Sequence, residues 1–146
     1  MNLLQTVSPY LLAGAVAWLI SQGLKYLILS IKGRSFKHYK QLYLSGSMPS
    51  AHSATVVALV TVVGFRDGMN SAVFGVAVLM AAIVMYDAVM VRRSSGEQGA
   101  ALTALLVETK SSIAKPRVSK GHTPLEVLAG ACVGAIVGLV VILATS

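Results

Sequence analysis

The stretch Gly121-His122-Thr123-Pro124-Leu125-Glu126-Val127-Leu128-Ala129-Gly130 leads into an apolar run that continues to Thr145. From Pro124 onward that run carries one charged side chain, Glu126. It has the length of about 20 residues that a helix needs to cross a hydrocarbon core. Thr123, Pro124 and Glu126 fit a capping box with proline at the first helical position, so the helix is expected to begin here. A second histidine stands in a matching place, where Pro49-Ser50-Ala51-His52-Ser53 opens another apolar run. Two imidazoles at neighbouring helix starts, surrounded by Lys and Arg, point to phosphate chemistry at a membrane surface.

Composition agrees with a membrane chain. Of 146 residues, 55% are hydrophobic and 12% charged, and the mean hydropathy is +0.76. A soluble domain would carry about a quarter charged residues. The length suits a single domain over residues 1–146, and the apolar excess makes it an all-α integral membrane protein. Four runs can be marked: Pro9 to Ile31, Ala51 to Phe65, Ser71 to Val91, and Pro124 to Thr145. The second is short: it can tilt little, or it can reach full depth by including Arg66 to Asn70 at its far end. The expectation is a bundle of about four transmembrane helices, with Ala100 to Val107 able to form an interfacial helix. No internal repeat or low-complexity linker is visible. Ala13-Gly14-Ala15 has the small residues of a signal-peptidase site, yet no basic segment precedes it, so the first run is expected to be retained. Cys132 has no partner for a disulfide and reads as a packing residue.

Charge sets the orientation. Lys32, Arg34, Lys37 and Lys40 follow the first run, and Arg92, Arg93, Lys110, Lys115, Arg117 and Lys120 follow the third. The loop between the second and third runs has only Arg66, neutralised by Asp67. Both basic loops are therefore expected in the cytoplasm of a cell-membrane protein. Whatever the absolute orientation, this topology puts His52, Asp87 to Arg93, and His122 on one face of the membrane. Ionisable groups at membrane helices are costly to bury and mark sites.

Each candidate residue has a functional and a plainer reading. Helix starts offer unpaired N–H groups to a phosphate. Ser50 is placed either to cap its helix or to donate to a phosphate oxygen. His52 alone would read as a solvent-facing histidine; the matching His122 favours function. His38 has no such setting. Glu126 belongs to the capping box, and as a carboxylate it can also orient His122 and leave the other ring nitrogen free to attack.

Pro49-Ser50-Ala51-His52 resembles the Pro-Ser-Gly-His signature of the type 2 phosphatidic acid phosphatase and vanadium haloperoxidase superfamily. Gly121-His122-Thr123-Pro124-Leu125-Glu126-Val127-Leu128-Ala129-Gly130 resembles its last motif. With Tyr86-Asp87-Ala88-Val89-Met90-Val91-Arg92-Arg93 the set is similar to the divergent branch of that group, over roughly Lys25 to Gly138. The resemblance implies a membrane-embedded, metal-free phosphatase that needs no cofactor. His122 would be the nucleophile, forming a phosphohistidine, and His52 would protonate the leaving oxygen and then deprotonate water. Cations would hold the phosphoryl oxygens, where charge gathers during transfer.

Several positions depart from the family pattern. The first motif, a Lys and then Arg-Pro seven residues on, survives loosely as Lys25 and Lys32-Gly33. Lys25 has the alternative of snorkelling from the end of its helix. The arginine expected six residues before the nucleophile is Pro116 here, with Arg117 one residue nearer. Ala51 replaces glycine, and Glu126 replaces Asp. Arg92 and Arg93 beside Asp87 can supply the missing cations, since Arg binds phosphate bidentately. Their plainer role is anchoring the third helix, with Asp87 in an ion pair.

Gly130, Gly134 and Gly138 recur every fourth residue, a spacing that lets helix backbones approach closely, either within the chain or across a homodimer. Two functional classes stay open: a phosphatase acting on a lipid monophosphate or diphosphate, and a non-catalytic protein that binds anionic headgroups or carries a phosphorylated solute. Nothing in the sequence selects vanadium peroxidase chemistry. The net charge of +7 suits anionic lipid surfaces, and no basic-aromatic motif for nucleic acid is present.

Overall fold

Every apolar run becomes a helix in the computed structural model, which describes residues 7–33, 48–116, 118 and 121–146. The elements are α1 (Pro9–Gly33), α2 (Ala51–Arg66), α3 (Ala72–Tyr86), a π-helical turn (Asp87–Val91), α4 (Arg92–Glu108) and α5 (Pro124–Thr145). Among the described residues there is no strand. Three hydroxyl side chains start helices. Ser50 Oγ accepts from Ser53 N, Ser71 Oγ from Phe74 N, and Thr123 Oγ1 from Glu126 N. Each satisfies a donor that the first helical turn leaves open. The α2–α3 connection turns at Gly68, whose φ of +85° disfavours any residue with a Cβ.

Three helical stretches are long and apolar enough to cross a membrane: Pro9–Ile31, Ala72–Glu108 and Pro124–Thr145. At 16 residues α2 is shorter, reaching only ~24 Å. It lies at the centre, in contact with α1, α3 and α5. The buried core is made of small side chains: Ala13 and Ala17 from α1, Ala54, Ala58 and Val62 from α2, Val137 and Val141 from α5. The large apolar side chains point the other way, with Leu11, Leu19, Val76, Leu79, Ile83, Ile136 and Leu143 all exposed. Such an outer surface would aggregate in water and suits lipid. Without a hydrophobic force between helices in lipid, close backbone packing holds the bundle.

The glycine stripe shows how close that packing is. A Cβ at Gly130 would collide with Ser50 O, one at Gly134 with Ala54 O, and one at Gly138 would sit 2.7 Å from Thr61 Cβ. The three glycines therefore seat α5 on α2 of the same chain, and their close approach is used inside the protomer.

Three sequence expectations are refined. The third helix does not stop at Val91: α3 continues through the π turn into α4, and Ala100 to Val107 forms the distal half of that same helix. Polar residues such as Ser94, Ser95 and Gln98 suggest a break, but they are compatible with helix once a neighbouring segment packs on it. Arg66 and Asp67 take separate partners. Arg66 Nη2 donates to Thr145 O and Oγ1 at 2.9 and 2.7 Å, and Tyr10 donates to Asp67 Oδ2 at 2.7 Å. Cys132 is exposed on α5.

Candidate functional site

The residues that meet at the other end of the bundle come from four places in the chain. His122 stands just before α5, where its backbone N–H donates to Ala88 O of the π turn at 2.9 Å. A turn this wide misses a rung of the ordinary helical ladder, which frees a carbonyl to take an outside donor. Gly121 permits the approach, since a Cβ there would strike the Arg93 backbone. On its other side the α5 start is tied to α2, with Ser50 N donating to Glu126 O at 3.0 Å. Ser50 and Ser53 are wholly buried, and the Ser53 hydroxyl donates to Ser50 Oγ at 2.9 Å. Of the two readings of Ser50, the structure realises the cap. Among the described residues the N–H groups of Ala51 and His52, at the mouth of α2, have no acceptor.

Glu126 serves both roles anticipated for it, through a single atom. Its Oε2 accepts from Thr123 N at 3.0 Å and lies 3.1 Å from His122 Nδ1. A carboxylate oxygen has two lone pairs, so the capping box and the histidine contact coexist there. Because that oxygen only accepts, Nδ1 carries the proton, and Nε2 presents its lone pair with no protein partner among the described residues. His122 is 4% exposed. Burial holds its pKa below the ordinary 6.5, the Glu126 hydrogen bond and charge push it back up, and the positive charges of Lys25 and Arg92 add to the lowering. The imidazole is consequently kept neutral.

His52 is exposed, and the ionisable groups near it are Arg92, His122, Lys25 and Asp87. Lys25 is 4% exposed; among the described residues no carboxylate pairs with it directly, and Glu126 is its longer-range counter-charge. Arg92 Nε donates to Asp87 Oδ2 at 2.6 Å, the ion pair expected of Asp87, and the rest of its guanidinium stays available. Arg93 has a carboxylate partner of its own. Its Nε bonds Glu97 at 3.1 Å, and it lines a cleft of about 440 Å³ with Gly96, Val118, Gly121, His122 and Thr123. Arg117 and His38 lie outside the described residues, as does the side chain of Lys32.

His52, His122, Glu126, Lys25 and Arg92 are thus gathered at one end of the bundle. The sequence reading did not identify the Ala88 carbonyl that holds His122, nor Ser21, which is fully buried one helical turn from Lys25 with no hydrogen-bond partner among the described residues. A stripe of Ala13, Ala17, Ser21 and Lys25 at every fourth position was the available signal for Ser21.

The Divergent PAP2 family matches the chain over residues 6–137. The uncharacterized membrane protein YuiD of Bacillus subtilis (strain 168) is 32% identical over 145 residues, which cover 89% of this chain and 91% of that protein. No solved structure matches.

Proposed function

Since the chain belongs to the divergent PAP2 family, we propose that this membrane protein is a metal-independent phosphatase that hydrolyses a lipid phosphate, a monoester or a diphosphate, through a phosphohistidine. The observation that carries this reading is the His122–Glu126 contact, with Nδ1 committed to the carboxylate and Nε2 left as a neutral nucleophile in a buried setting. In the first step Nε2 attacks phosphorus and the bond to the lipid oxygen breaks. His52, exposed to the aqueous side, gives that oxygen its proton. In the second step His52 takes a proton from water, the resulting hydroxide attacks phosphorus, and the P–N bond breaks to release phosphate and neutral His122. Lys25, Arg92 and the open N–H groups of Ala51 and His52 hold the oxygens on which charge accumulates. Arg93, Arg117 and Lys32 remain candidates for the outer cationic ring. The excess of Lys and Arg in the loops at this end supports a cytoplasmic orientation of the site.

The test uses purified wild-type and H122A protein in lipid nanodiscs with a radiolabelled lipid phosphate. Wild type is expected to release phosphate and, on rapid quenching, to hold an acid-labile, base-stable label that H122A lacks. Tight headgroup binding with no release by wild type would instead establish a non-catalytic anionic-lipid binder.

A further inference from the structure

Between α1 and α5 runs a groove of about 290 Å³, walled by Val16, Ile20 and Leu24 on one side and by Val133, Ile136 and Val140 on the other. No polar side chain lines it. Its two walls are the helices that carry the anion-binding end. Leu24 is followed by the buried Lys25, and α5 begins with His122 and Glu126 immediately before and within its first turn. At about 1.5 Å rise per residue, Val133 lies ~10 Å and Val140 ~21 Å below Glu126 along α5. Among the described residues the buried Lys25 ammonium has no paired carboxylate and the buried Ser21 hydroxyl no partner; both lie on α1 within a turn of Leu24, and a bound anion would satisfy the ammonium. The site therefore has the polarity of an amphiphile laid along α1: an anion at the top and hydrocarbon below.

We infer that the α1–α5 groove is the hydrocarbon subsite of this protein, holding the first part of the chain of a phosphorylated lipid whose phosphoryl group lies at Lys25 and His122. The inference rests on the proposed phosphatase reading for the identity of its headgroup and adds where the tail enters. Substrate comes in sideways from the bilayer, because both walls are open to lipid: Ile20 is 41% and Ile136 62% exposed. Discrimination by tail length follows, since each buried methylene adds to binding while the chemistry occurs above the groove.

Two measurements on the full chain in nanodiscs decide this. The first uses a long-chain lipid phosphate with a diazirine in its tail, beside the same lipid as the free alcohol. The phosphate is expected to label the groove walls several times more strongly than the alcohol, and I136W to lose that labelling. Equal labelling by the alcohol would mean an ordinary bilayer lipid, adducts away from the groove would mean a different tail path, and chain-to-chain adducts would mean a second copy; each overturns the subsite. The second compares I20W and I136W with wild type on two substrates. Filling the groove should raise KM for the long-chain phosphate about tenfold and leave turnover of a short-chain, water-soluble phosphate ester unchanged. Equal effects on both substrates, or none on either, overturn it. If wild type turns over neither substrate, the phosphatase reading fails and the labelling still decides the groove.

Discussion

The two ends of the bundle hold similar groups and use them in opposite ways. At the end where α2 meets α3, Arg66 closes the last carbonyl of α5 and Asp67 takes the Tyr10 hydroxyl, so each charge is absorbed into holding helices together. At the end where α2 and α5 begin, only part of the charge is absorbed. Asp87 takes one edge of Arg92 and Glu126 takes His122, while Lys25, the rest of Arg92 and His52 have no anionic partner in contact among the described residues. Compensated charge is structure; uncompensated charge held in place by packing is a site for an anion.

The sharpest way to break this comparison is H122A, which should lower phosphate release at least ~10⁴-fold while leaving the bundle folded, as losing a nucleophile does elsewhere. The corresponding far-end change, R66A, should leave the rate alone and reduce stability by no more than about 1 kcal/mol, read as the thermal midpoint in detergent. Next in size is the seam that fixes the two ends relative to each other. G134L drives a side chain into Ala54 O and should destabilise by about 3 kcal/mol or more. G75A, where an added Cβ meets nothing within 4 Å, should be neutral or slightly stabilising in the same thermal assay. K25M should reduce kcat/KM by about 10²-fold with little effect on the fold, comparable to removing one donor from a preorganised anion site.

The smallest effect is one of pH. Neutral His122 is the attacking form, so the rate falls as pH drops through its pKa, which burial places below 6.5. The Glu126 carboxylate raises that pKa by favouring the imidazolium, and E126Q removes the raising contribution. The acid limb of the kcat/KM profile should then move to lower pH, with the maximal rate reduced. A shift to higher pH would show that His122 is not the group being titrated.

Much of this arrangement was legible in particular residues. Thr123-Pro124-Leu125-Glu126 gave the start of α5 because a capping box is a local hydrogen-bond pattern that needs no tertiary partner. Ser50 as a helix cap and the four apolar runs were legible for the same reason. The π turn was not: Asp87 to Val91 has no sequence mark, and the wide turn makes sense only once His122 arrives to use the Ala88 carbonyl. The separate fates of Arg66 and Asp67 were hidden too, since adjacent opposite charges look self-neutralising until the ends of α1 and α5 come within reach.

Periodicity, caps and charge distribution determined by themselves that the chain is a helical membrane bundle with both histidines at one end, because each of these acts within a few residues or through the bilayer's thickness. Only the tertiary structure decided which groups meet: that Lys25 is buried, that Arg92 pairs with Asp87 while Arg93 pairs with Glu97, and that the glycine stripe seats α5 on α2. Those outcomes depend on which helix faces pack together, and at 3.6 residues per turn adjacent residues such as Arg92 and Arg93 point in directions that only packing distinguishes.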